Sequence, residues 1–132
     1  MNYNNNFYKN LLKPDFLPPA WIFKIVWPVL YILMFISLFI VLFTKTDKSK
    51  VSAVITFFAQ LMLNFLWPFI FFKEGKIFFG LIISVLLAIA VFLMIVLFHK
   101  INPLSAYLNI PYFLWACFAC ILMFFIYELN KN

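Results

Sequence analysis

One row of amides and hydroxyls interrupts an otherwise apolar stretch of this chain: Ser52, Thr56, Gln60 and Asn64. A spacing of four keeps neighbours on one helical face, and Trp67 lies within a turn of Asn64. In lipid such groups turn inward, and two readings stand: glue to a neighbouring helix, or a row that faces a ligand. The indoles of Trp21, Trp27, Trp67 and Trp115 offer flat apolar walls with one N–H donor each. Combinations able to do catalysis are sparse. Cys117 and Cys120 form a C-x-x-C inside an apolar run, with nothing nearby to favour a thiolate, and read as small packing residues. His99, the only histidine, stands beside Lys100 at the end of a run and reads as interfacial, with haem ligation as the alternative. No carboxylate falls inside an apolar run, so the relay group of a proton-coupled transporter is missing. A Gly-rich phosphate loop is absent too. The expectation is a protein with no catalytic residue, no metal ligand set and no required cofactor.

The elements that must position these residues follow from charge. The 132 residues are 67% hydrophobic and 11% charged, where a soluble domain carries about 45–50% apolar and about 25% charged residues. No charged residue lies in 25–44, 51–72, 77–99 or 101–127. About 20 apolar residues cross a hydrocarbon core as a helix, and continuous rather than alternating apolar runs disfavour a β-barrel. The fold expected is therefore an all-α integral membrane protein, an antiparallel bundle of four transmembrane helices at about 21–43, 51–72, 77–98 and 104–127. Residues 1–20 read as a polar N-terminal segment and loop, and 21–132 as the helical bundle. The Asn-rich start lacks the pattern of a cleavable signal peptide.

Short links at 44–50, 73–76 and 99–103 make neighbouring helices antiparallel and put both termini on one side. That side would hold Lys9, Lys13, Lys73, Lys76 and Lys131, with Lys24 snorkelling towards it. Lys45, Lys48, Lys50 and Lys100 would mark the other. Scattered lysines at span ends meet lipid head groups, and with arginine absent they do not form a nucleic-acid surface. Gly80, Ser84 and Ala88, again spaced by four, permit close backbone approach and read as a helix-packing row, within the bundle or across a dimer. Pro28, Pro68 and Pro111 are each expected to kink a span.

Longer patterns add a resemblance. Lys13-Pro14-x-Phe16-x-Pro18-Pro19-x-Trp21, then Val26-Trp27 and Tyr31, is similar to the translocator protein / tryptophan-rich sensory protein family. Gln60-Leu61-x-Leu63-Asn64-x-x-Trp67-Pro68 and Phe71-Phe72 continue it, as do Pro103-Leu104 and Pro111-Tyr112-x-x-Trp115-x-x-Phe118-Ala119 with Leu122. The resemblance runs from about Phe7 to Asn130. It implies a helical bundle, commonly a homodimer, that binds porphyrins and sterol-like or synthetic aromatic molecules between its helices. By motif position the ligand-binding candidates are Trp27, Asn64, Trp67, Trp115, Phe118, Ala119 and Leu122, joined by Trp21, Tyr31 and Phe79. Pro18 and Pro19 would belong to a loop that lids the pocket.

Departures from the family pattern are equally specific. The family has five spanning helices, and residues 1–17 cannot span. This chain therefore starts within the loop after the family's first helix, so that a partner or second protomer must close the pocket or Met1 is an internal methionine. Ile83 replaces the third span's usual Asp, while Phe79 and Phe98 replace indoles. Leu122-Met123-Phe124 replaces Leu-Asn-Tyr, and the sterol-consensus Tyr and Arg fall on Phe124 and Glu128. The function expected is a binder of porphyrins or other flat amphipathic molecules, a translocator or sensor in a bacterial cell membrane. The alternatives are a non-catalytic subunit of a larger assembly and porphyrin breakdown at the indoles.

Overall fold

The computed structural model describes residues 20–68, 70 and 77–130; Pro18, Pro19 and the link 71–76 lie outside the described residues. In chain order the helices are α1 (Ala20–Phe43), α2 (Val51–Pro68), α3 (Ile77–Ile101), α4 (Pro103–Tyr107) and α5 (Ile110–Asn130). Four stretches are long and apolar enough to cross a membrane: Trp21–Phe43, Val51–Pro68, Ile77–Ile101 and, with α4 and α5 taken together, Pro103–Asn130. The protein is an all-α, multi-pass membrane protein. The 24 residues of α1 reach about 36 Å, enough for the hydrocarbon core.

Two boundaries differ from the expected ones, each for a local reason. The third helix runs past Phe98 to Ile101, where the residue before a proline is forced out of helical geometry. That residue, Asn102, is extended (φ −154°, ψ 112°), and its side chain accepts a hydrogen bond from the Leu104 N–H at 3.0 Å, capping α4. The last span is not one kinked helix but two pieces. Pro111 has no N–H to offer the Tyr107 carbonyl, so the ladder fails just ahead of it. The Asn109 N–H turns to the Ala106 carbonyl at 3.0 Å, while the Asn109 side-chain Nδ2 donates to the Ser105 carbonyl at 3.1 Å. Pro111 thus sits in the first turn of α5, where its ring costs nothing, rather than kinking the span from within.

α3 is the spine, packed closely on α2 and on both halves of the last span. Its inward stripe of Leu87, Val91, Met94 and Phe98 meets Leu30, Met34, Leu38 and Val41 of α1 and Ala53 and Phe57 of α2 in one core. Gly80 and Ser84 are buried within the bundle and Ala88 half-buried, and the Cys120 thiol of α5 donates to the Ser84 carbonyl at 3.1 Å. At the far end Lys50 Nζ donates to the carbonyls of Leu42 and Thr44 at 2.9 and 2.6 Å, and Lys48 Nζ to that of Lys100 at 2.8 Å. These cations meet the negative ends of α1 and α3 and draw the 44–50 link against the end of α3.

The small-residue packing predicts a graded response to bulk. Gly80→Leu should wedge α3 away from its neighbours and cost about 1–3 kcal/mol, while Ala88→Leu, half-exposed, costs less. Thermal unfolding of both variants in detergent checks the order.

Candidate ligand groove and the polar ties beside it

Ile25, Val26, Val29 and Leu30 form a double i, i+4 row on α1, and Pro111, Leu114, Trp115 and Phe118 face them from the start of α5. Together they line an open groove of about 500 Å³, apolar throughout. Trp115 is its hub. Its ring lies 5.3 Å from Phe23, 6.3 Å from Trp27 and 5.5 Å from Phe118, and the Trp27 contact is edge-to-face at 89°. Each such pair contributes about 0.5–1.5 kcal/mol beyond area burial and stiffens the wall. Ile25, Val29 and Leu114 are exposed on the outer surface of the bundle, so the groove opens sideways to hydrocarbon.

Beside this wall lies a cluster of buried amides and phenols. The Tyr112 hydroxyl donates to Gln60 Oε1 at 2.6 Å and accepts from Asn64 Nδ2 at 2.8 Å. The Tyr31 hydroxyl donates to Asn64 Oδ1, and Gln60 Nε2 donates to Met34 Sδ at 3.3 Å. Gln60 is fully buried and Asn64 5% exposed. Asn64 is thus engaged at both ends of its amide, and of the two readings of the polar row, glue describes Gln60 and Asn64. The row itself splits. Ser52 is exposed and Thr56 Oγ1 turns back onto the Ser52 carbonyl at 2.8 Å. Each step of four advances about 400°, so a four-spaced row drifts about 40° per step around the helix.

The structure gathers Trp27, Trp115 and Phe118 at one place, and Tyr31 joins them through its tilted contact with Trp27 at 6.0 Å. It does not bring the other candidates there. Trp67 packs with Ile77 and Leu81 against Met123 and Ile126. Trp21 is 61% exposed, and Phe79 is exposed beside Phe78. Leu122 is buried in the core and Ala119 half-buried, neither lining the groove. Sequence reasoning missed Ile25, Val26, Val29, Leu30 and Leu114, whose only signal is spacing, and it named Tyr112 only as part of the motif after Pro111, with no role. His99 is exposed against Tyr107 at 5.9 Å. No group of three His, Cys, Asp or Glu side chains occurs among the described residues.

These features define a class: a multi-pass helical membrane protein with aromatic rings gathered at an apolar groove on the outer surface of its bundle. The chain belongs to the TspO/MBR family, whose model matches residues 1–128. It is 42% identical over 124 residues to the tryptophan-rich protein TspO of Archaeoglobus fulgidus, covering 93% of this chain and 79% of the relative. It is 38% identical over 125 residues to the protein of the same name from Chlorobaculum tepidum, covering 94% and 79%. The human translocator protein is 32% identical over 128 residues, covering 95% and 75%.

Because Tyr112 serves two buried amides, Tyr112→Phe leaves Gln60 and Asn64 each short of one partner. The expected loss is about 1–2 kcal/mol of stability. Reversible unfolding in mixed micelles measures it, with the exposed Tyr107→Phe as a neutral comparison.

Proposed function

We propose that this protein binds a flat amphipathic aromatic molecule of the porphyrin type in the groove between α1 and α5, and that binding serves its translocation or sensing. The observation that carries this reading is an apolar groove of about 500 Å³ lined by Trp115 and Phe118, with Trp27 packed edge-to-face on Trp115. Ligand pockets for drug-sized molecules run from about 300 to 1,000 Å³ and are mostly apolar, with a few polar groups that set orientation. The ring face of a macrocycle would stack on the indoles. Its polar edge would project towards the membrane surface, since the Trp115 indole N–H is the one polar side-chain group among the groove's lining residues. The relatives' names point the same way: the human relative is called a translocator protein, and one from Cereibacter sphaeroides a tryptophan-rich sensory protein. A side-opening groove suits a ligand that arrives dissolved in lipid.

Titrating the purified protein with protoporphyrin while following Trp fluorescence tests the proposal. Saturable quenching is expected, weakened about tenfold by Trp115→Leu, the loss of one stacked indole. Trp67→Leu, at a residue packed against Met123 and Ile126 further along α5, should leave the affinity unchanged. Binding that survives Trp115→Leu intact overturns the assignment.

A further inference from the structure

The break between α4 and α5 falls about 8–10 Å along the last span from Pro103, inside a stretch long and apolar enough to cross a membrane. Asn109 occupies it and is fully buried. Its Nδ2 donates to Ser37 Oγ of α1 at 2.8 Å and to the Ser105 carbonyl at 3.1 Å, while its Oδ1 is buried with no hydrogen-bond partner. Turning the amide over does not repair this, because the Ser105 carbonyl cannot donate and would face an oxygen. An orphaned acceptor costs about 1–3 kcal/mol in a dry interior.

Polar groups lead from this point to the lysine-bearing end of the bundle. Ser105 Oγ donates to the Asn102 carbonyl at 2.6 Å, Asn102 Nδ2 to Thr44 Oγ1 at 3.1 Å, and Lys50 Nζ to the Thr44 carbonyl at 2.6 Å. On the other side, Ser37 Oγ donates to the Met34 carbonyl at 2.6 Å, and Met34 Sδ receives Gln60 Nε2. We propose that the α4–α5 break is a binding site for a small hydroxyl donor, water in the resting protein, hydrogen-bonded to Asn109 Oδ1 and reached along the Thr44–Asn102–Ser105 edge.

Chemistry selects this class of guest. The spare group is an acceptor, so the guest must donate. The described spans carry no carboxylate near the break, so a cation there would lie uncompensated in low dielectric, which favours a neutral donor. Ser37, Ser105 and Asn109 are all fully buried, which suits a guest of water's size with two to four polar partners. A hydrated station here lies midway between the lysine-bearing end and the Tyr31–Asn64–Tyr112 cluster, apart from the aromatic groove and independent of what that groove holds.

Radiolytic hydroxyl-radical footprinting of the protein in lipid nanodiscs tests the site, because radicals born from a bound water oxidise the nearest reactive side chain. Met34 and Met94 are both fully buried, but only Met34 is tied to Ser37 and Gln60. Met34 should be oxidised ahead of Met94, and Asn109→Leu should abolish that difference. Equal protection of the two methionines in the wild-type protein overturns the proposal, a comparison that needs no variant to fold. Persistent Met34 oxidation in a folded Asn109→Leu protein overturns it as well.

Discussion

Hydrocarbon gives a polar group nothing to bond to, and the placement of α1 depends on that fact. α1 and the residue just after it carry polar ties to three other segments: Tyr31 to Asn64, Met34 to Gln60, Ser37 to Asn109, and Thr44 to Asn102. Apolar surface cannot hold helices together when the surrounding solvent is equally apolar, so such ties and close packing must do it. The ties fix the rotation of α1 about its axis. That rotation turns Ile25, Val26, Val29 and Leu30 towards α5 and brings Trp27 onto Trp115.

The two sides of the bundle are consequently held by different means. Around α3, small residues let backbones come close, and the stripe from Leu87 to Phe98 is buried in one core. Between α1 and α5 the backbones stay further apart and the space is spanned by long side chains. A groove is left between α1 and α5, and the aromatic rings at its wall brace one another. Rigidity at the indoles and openness towards lipid are both useful to a site that takes a flat, oily guest.

The last span shows how a single residue type changes an element in the membrane. Pro111 removes one N–H, the ladder breaks, and Asn109 repairs most of the damage with its own side chain. The repair ties α5 to Ser37 of α1 and so couples the break to the helix that walls the groove. Where a soluble protein would leave such a break to solvent, here the bonding must be completed inside the bundle.

The sequence alone determined the spans, since exclusion of charge from about twenty successive residues is a one-dimensional property that lipid enforces directly. It determined the family too, through motifs such as Gln60-Leu61-x-Leu63-Asn64-x-x-Trp67-Pro68, and it marked Trp27, Trp115 and Phe118 for the site. Only the tertiary structure decided which way each residue faces. In water the outer face of a helix is polar and its orientation can be read. In lipid both faces are apolar, so inward Phe57 and outward Phe58 look alike in sequence. For the same reason Trp67 was indistinguishable from Trp115 until their helices were placed, and the drift that parts Ser52 from Asn64 became visible only on a folded α2. The aliphatic half of the groove had no chemical signature at all. Its residues acquired a role only because polar ties further along α1 fixed how that helix is turned.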